Sequence, residues 1–128
     1  MAHTRASLAE VTATFMAAFN SNDLDGVVSA FADDGMYEEF NGVVHTGPEA
    51  VRAAFAPQFE GRFGEMKFLD EDLIVDAEAG KVMASWRCTL EAKGQPTSWR
   101  GLDAITFNDA GQVTHKLTYA KAKAPLFE

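Results

Sequence analysis

Apolar residues recur at a helical period early in the chain and at a strand period late in it. Leu8, Val11, Phe15 and Phe19 fall three or four residues apart, which aligns them on one helix face. Ser7, with Glu10 three positions on, reads as the capping box that starts this helix, and Phe19 ends it. Asn20-Ser21-Asn22 breaks the pattern, and Asn22 is placed to cap a second helix whose stripe is Leu24, Val27, Val28 and Phe31. Asp33-Asp34-Gly35 stops that helix. Met36 to Asn41 then alternates as a short strand, with Met36, Glu38 and Phe40 on one face and Tyr37, Glu39 and Asn41 on the other. So short a run leaves open which face is buried.

Thr46-Gly47-Pro48-Glu49 opens a third helix with proline in its first turn, and Val51, Ala54, Phe55 and Phe59 form its inner stripe. A glycine-containing loop from Gly61 to Gly64 ends it. The remainder reads as a meander of four longer strands, Glu65 to Asp76, Lys81 to Ala92, Thr97 to Asn108 and Gln112 to Ala122. This order predicts one α+β domain spanning residues 1–128, in which helices cover one face of a curved antiparallel sheet. Such an arrangement leaves a pocket between helices and sheet.

One carboxylate interrupts the apolar face of the third long strand. Asp103 shares that face with Ile105 and Phe107, and with Trp99 further back. An acid in such company is hydrogen-bonded, neutral or solvated in a cavity. If Asp109-Ala110-Gly111 is a three-residue loop with Gly111 left-handed, Phe107 pairs with Val113, Ile105 with His115, and Asp103 with Leu117. His115 and Tyr119 then lie diagonal to Asp103 on one face, where a polar trio is either a site or a satisfied buried network. Arg100 points to the opposite face by strand parity.

At 128 residues with 47% hydrophobic residues, ten of them Phe, the chain can bury a core without disulfides. Lone Cys88 has no internal partner, and no Cys/His cluster has zinc-site spacing, so a reducing, cytoplasmic setting and no metal are expected. No segment has the run of about 20 apolar residues that spans a membrane. A net charge of −8 argues against nucleic acid or an anionic membrane as partner.

Phe19-Asn20-Ser21-Asn22-Asp23-Leu24-Asp25-Gly26, Phe31-Ala32-Asp33-Asp34, Gly47-Pro48-Glu49-Ala50-Val51 and the Arg100 to Val113 segment, in this element order, resemble the SnoaL-like and ketosteroid-isomerase-like branch of the nuclear transport factor 2-like superfamily. The resemblance runs from Ser7 to Tyr119. It implies a cone-shaped sheet covered by three N-terminal helices, a hydrophobic cavity and a homodimer. It also sets Glu39 where ketosteroid isomerase has its general base and Asp103 at that enzyme's oxyanion-hole acid. The helix-one tyrosine of that enzyme falls on Phe15, which has no hydroxyl. The Tyr-x-Asp that often ends the last strand of polyketide-cyclase-like relatives is Tyr119-Ala120-Lys121 here.

Two acids facing one apolar cavity favour one charged and one neutral group. Glu39 would remove a proton beside a carbonyl while neutral Asp103 donates to the enolate oxygen, with His115, Tyr37 or Tyr119 supplying the donor that Phe15 lacks. Phe15, Tyr37, Trp86, Trp99 and Tyr119 are the candidate ligand-binding residues. The two tryptophans serve equally as core or dimer packing, and His45 reads as a loop residue, His3 as part of a frayed terminus. The expected function is an acid-base isomerase, cyclase or dehydratase acting on a small hydrophobic carbonyl compound, with no cofactor. The alternative is a non-catalytic domain that binds a small ligand or dimerises.

Overall fold

Thr4, one turn earlier than Ser7, starts the first helix. The computed structural model describes residues 3–121, and in it helix α1 runs Arg5–Asn20. Thr4 Oγ1 accepts from the Ser7 amide at 3.0 Å and Ser7 Oγ from the Thr4 amide at 2.9 Å. Ser7 is therefore the inner half of the capping box and not its start. At the other end the Asn20 side chain clamps the backbone of Phe68, accepting its N–H at 2.7 Å and donating to its carbonyl at 2.9 Å. His3, expected to fray, lies 2.8 Å from the Asn108 carbonyl through Nε2.

Helix α2 (Leu24–Ser29) is capped by Asp23, whose carboxylate accepts from the Gly26 amide at 2.9 Å. Asn22, the expected cap, instead takes a left-handed turn at φ +57°. Phe31 leaves the helical stripe to begin strand β1 (Phe31–Glu38), because the Val113 amide captures the Ala30 carbonyl at 2.9 Å and Phe31 pairs with Val113. Strand pairing outweighs a helical period that only one more residue would have continued. Asn41-Gly42 then turns the chain into β2 (Val44–Thr46), with Gly42 at φ +88°. His45, read from sequence as a loop residue, thus lies in a strand opposite Tyr37.

Helix α3 (Pro48–Phe59) starts at proline as expected. The meander follows as β3 (Lys67–Asp76), β4 (Lys81–Ala92), β5 (Gln95–Phe107) and β6 (Val113–Ala120). The Ala122 end expected for the last strand lies outside the described residues. The six strands form one curved, unclosed sheet in the order β2-β1-β6-β5-β4-β3. The meander pairs are antiparallel as expected, but β1 joins β6 in parallel. Helices α1 and α3 pack over one face of this sheet, against β3 and β1 respectively. Val82, Ala84, Trp86, Cys88 and Leu90 alternate inward along β4 and are buried.

The β5–β6 hairpin differs from its expected register by one residue. The loop is as predicted, with Gly111 at φ +80° and Phe107 paired with Val113. Thr114 then bulges out of the ladder, so that Thr106 faces His115, Ile105 faces Lys116 and Asp103 faces Thr118. A slip of one residue exchanges the two faces of a strand. Lys116 and Thr118 point inward, while His115 and Tyr119 point outward and are exposed. The outer face carries the row Ile74, Met83, Ala104, Leu117 and, beside it, Leu102 and Tyr119. Arg100 is also on the outer face and donates to Glu71 at 3.0 Å. Among the described residues no helix is long and apolar enough to cross a membrane.

Candidate functional site

Strand pairing brings the polar inward residues into two neighbouring rows. One runs Val82, Ile105, Lys116, Tyr37 and His45, and the next contains Ala84, Asp103 and Thr118. Asp103 is 1% exposed and Lys116 4%. Lys116 Nζ donates to Asp103 Oδ1 at 3.0 Å and to Thr118 Oγ1 at 2.9 Å, while the Thr118 hydroxyl donates to the same Oδ1 at 2.6 Å. The Trp86 indole N–H reaches Oδ2 at 3.0 Å. Both carboxylate oxygens are thereby committed as acceptors. Three donors thus point at a carboxyl group that the sequence reading expected to donate to a ligand itself.

Gly101 makes the indole contact geometrically possible. It pairs with Trp86, and a Cβ there would lie 2.5 Å from the Tyr119 carbonyl and 2.6 Å from the indole ring. Glycine lets the ring lie flat over the strand and reach Asp103.

In front of Lys116 and Thr118 opens a cavity of about 370 Å³ between α3 and the inner sheet face. That volume lies within the usual range of small-molecule sites, about 300–1,000 Å³. Phe19, Phe55, Phe68, Trp86 and Trp99 supply aromatic walls, and Phe40 and Phe63 stand exposed at the rim. The Lys116 ammonium sits 4.7 Å from the centre of the Tyr37 ring, 5.4 Å from that of Phe19 and 5.5 Å from that of Phe55. Aromatic faces of this kind attract a cation, and the attraction strengthens once water is excluded.

Glu39 is on the cavity wall, and its Oε2 lies 2.7 Å from His45 Nε2. Both side chains are about a quarter exposed, 27% and 22% respectively. The turn fixes this pair: the Glu39 amide donates to the Val43 carbonyl at 2.9 Å, and Glu39 accepts from the Gly42 amide at 2.9 Å. Tyr37 stacks between His45 and Phe55, with centroids 5.9 Å and 4.3 Å away. Its burial, then the charges of Asp103 and Glu39, hold the phenol well above the ordinary tyrosine range, against a weaker opposing effect of Thr118. Tyr37 is therefore a hydrogen-bond donor at any working pH. Cys88 also lines the cavity, and burial pushes its thiol up to about 11. A protonated thiol is a poor nucleophile.

Of the residues singled out from sequence, the fold brings Glu39, Tyr37, Trp86 and Trp99 to one cavity. Asp103 stands behind its wall. Phe15 is 2% exposed in the core beneath α1, edge-on to Phe19 at 5.2 Å and to Phe31 at 5.7 Å. His115 and Tyr119 lie on the opposite face of the sheet. Sequence reasoning missed Lys116, Thr118, His45 and Arg62. The Asn41-Gly42 hairpin signal was present and points to His45. Nothing in the sequence marks the bulge at Thr114 that turns Lys116 inward.

Comparison with known proteins agrees with this architecture. A protein of Xanthomonas campestris pv. campestris, provisionally named a polyketide cyclase, superposes with a TM-score of 0.74 at 21% identity, covering 89% of this chain and 90% of its own. The epoxide hydrolase/cyclase-like enzyme SalBIII, described for pyran ring formation in polyether salinomycin, gives 0.79 at 17% identity over 89% of this chain and 90% of its own. A Methylobium petroleophilum PM1 protein of unknown function with a cystatin-like fold gives 0.80 at 16% identity over 100% and 84%. At these identities the likeness establishes the fold. Residues 12–116 match the SnoaL-like domain, and with most of its length inside that match the chain belongs to the SnoaL-like family.

Proposed function

We propose that the protein is a cofactor-independent acid-base enzyme of the isomerase, cyclase or dehydratase type, acting on a small hydrophobic carbonyl compound. The observation that carries this reading is Glu39, on the wall of the cavity that Tyr37 and Lys116 also line, with its carboxylate 2.7 Å from His45 Nε2 behind it. Glu39 takes the proton from the carbon beside the substrate carbonyl, and His45 orients the carboxylate. The Tyr37 hydroxyl and the Lys116 ammonium donate to the oxygen as it gains charge. Asp103 acts through Lys116 and Trp86 as a positioning residue. The proton on Glu39 then returns to another carbon in an isomerisation, or to a departing hydroxyl in a dehydration. In a cyclisation the carbanion attacks a second carbonyl of the same molecule, whose oxygen takes the proton.

The names of two fold neighbours, polyketide cyclase and pyran ring formation, support this reaction class. Removing one preorganised oxyanion donor typically costs about 10²–10³ in kcat. The same reading takes the chain as a cytoplasmic homodimer joined through the outer sheet face, where Ile74 is 66% and Tyr119 53% exposed. Light scattering tests that assembly, and Met83→Glu on the same face should yield monomers.

A second reading, a non-catalytic ligand-binding domain, is favoured by the complete hydrogen bonding of Asp103. Solvent deuterium exchange beside the carbonyl of 2-tetralone, followed by proton NMR, separates the two. The enzyme reading expects exchange above the buffer rate, with Glu39→Gln slowing it by about 10²-fold or more. Absence of exchange with the wild type, or equal exchange with Glu39→Gln, refutes it.

A further inference from the structure

We infer that the cavity selects an organic anion, an apolar ring system carrying an ionised oxygen such as a carboxylate or enolate, with Lys116 as the group that binds that oxygen. The inference rests on the cavity being the ligand site proposed above, and it adds the chemical class of the ligand.

The cavity wall does not share the acidic excess of the protein. The whole chain has 19 acidic and 11 basic residues. Among the cavity-lining residues, however, the cations Lys116 and Arg62 outnumber the one carboxylate, Glu39, which His45 already engages. Lys116 is at the inner wall and Arg62, exposed, in the turn that follows α3. Asp103 balances the lysine charge only from behind, 1% exposed and with both oxygens occupied.

Lys116 also keeps binding capacity. An ammonium has three donors, and among the described residues its polar acceptors are Asp103 and Thr118. What surrounds it otherwise is the Tyr37, Phe19 and Phe55 rings. A lysine serving only to neutralise Asp103 needs no contact with a cavity, yet this one lines it. Fixed in place by two hydrogen bonds, it offers its remaining N–H to a ligand without losing further side-chain freedom. An ionised oxygen adds to that hydrogen bond a charge–charge attraction, strengthened where water is excluded, that a neutral oxygen accepting the same N–H lacks, and the aromatic walls accept the ring that carries the charge. A ligand with a neutral amide in the same place would keep the ring contacts and lose the charge.

The test compares 2-naphthoate with its neutral isostere 2-naphthamide, by calorimetry and by the NMR shift of the Trp86 indole N–H. Wild-type protein should bind naphthoate at least about tenfold more tightly, a difference of about 1.4 kcal/mol, with the Trp86 signal moving. The preference should vanish in Lys116→Met combined with Asp103→Asn, which leaves neither charge stranded, and should shrink in Arg62→Gln. If the double variant does not fold, the wild-type comparison and the exposed Arg62 variant decide: a naphthoate preference that leaves the Trp86 signal unmoved, or that disappears in full in Arg62→Gln, overturns the assignment to Lys116. Equal or tighter binding of naphthamide to wild type overturns the inference, as does a naphthoate preference that survives loss of Lys116. Naphthoate binding without 2-tetralone exchange would leave the anion site standing and remove the enzyme reading. Exchange without naphthoate preference would do the reverse.

Discussion

Replacing Asp103 with alanine removes the acceptor for three donors at once. The Lys116 ammonium, in a residue 4% exposed, loses its counter-charge, and the Trp86 N–H and Thr118 hydroxyl lose their partner. Breaking a buried ion pair from one side costs about 3–5 kcal/mol. Water in the adjacent cavity can solvate part of the stranded ammonium, which places the loss near the lower end, about 3 kcal/mol. At about 3 °C per kcal/mol for a chain of this length, Tm should fall by about 10 °C. Asp103→Asn should also destabilise, because an amide presents donors where the indole and ammonium already donate. Lys116→Met leaves an unpaired carboxylate and should cost a similar amount. The Asp103→Ala/Lys116→Met double variant removes both charges and should lose at least about 1–2 kcal/mol less than the sum of the singles. Thermal and urea unfolding followed by circular dichroism measure all four. An Asp103→Ala protein melting within about 3 °C of wild type, or single losses that simply add in the double variant, would refute the reading of this group as a buried, mutually dependent network.

The Cys88 thiol, raised from 9.0 to about 11 by burial, should react with a disulfide reagent far more slowly than a free cysteine at pH 8 to 9 in the native protein. Because the native state holds that proton after the unfolded thiol has released it, stability should fall as pH rises from about 9 toward 11; a thiol as reactive in the native as in the unfolded protein contradicts this. Gly101→Ala forces a Cβ against the Tyr119 carbonyl and the Trp86 ring, and should cost about 1–3 kcal/mol and shift the indole N–H resonance; an unshifted resonance at wild-type stability counts against the contact. Phe15→Tyr puts a hydroxyl into a core site 2% exposed, away from the cavity, so it should destabilise by about 1–3 kcal/mol without raising 2-tetralone exchange; faster exchange would place Phe15 in the site after all. His115→Ala, on the outer face, should change stability by less than about 0.5 kcal/mol and leave exchange as it was.

The elements with long periodic patterns were legible in the sequence, and those defined by tertiary pairing were not. Leu8 to Phe19 and Val51 to Phe59 form helices because their apolar spacing matches the period over more than two turns. Phe31 fits a helical stripe as well as a strand, and only its pairing with Val113 decides. Along β6, the apolar side chains at Leu117 and Tyr119 suggest an inward face, but the outer face of this sheet is itself apolar. Alternation therefore points the wrong way, and the bulge at Thr114 reverses it. Asp103 was recognisable as a buried acid. Its partners Lys116 and Thr118 were hidden by that one-residue shift, while His45 could have been found by weighing Asn41-Gly42 as a hairpin.

A crystal structure of the protein with a bound cyclic ketone tests the shared cavity of Glu39, Tyr37 and Lys116 most directly. The expected result is the ring held among Phe55, Trp86 and Trp99, its oxygen within hydrogen-bond reach of the Tyr37 hydroxyl or the Lys116 ammonium. The Glu39 carboxylate should face the carbon beside the carbonyl. A ketone bound elsewhere on the surface, or one in the cavity with Glu39 turned out to solvent, would contradict proton transfer as the work of this site.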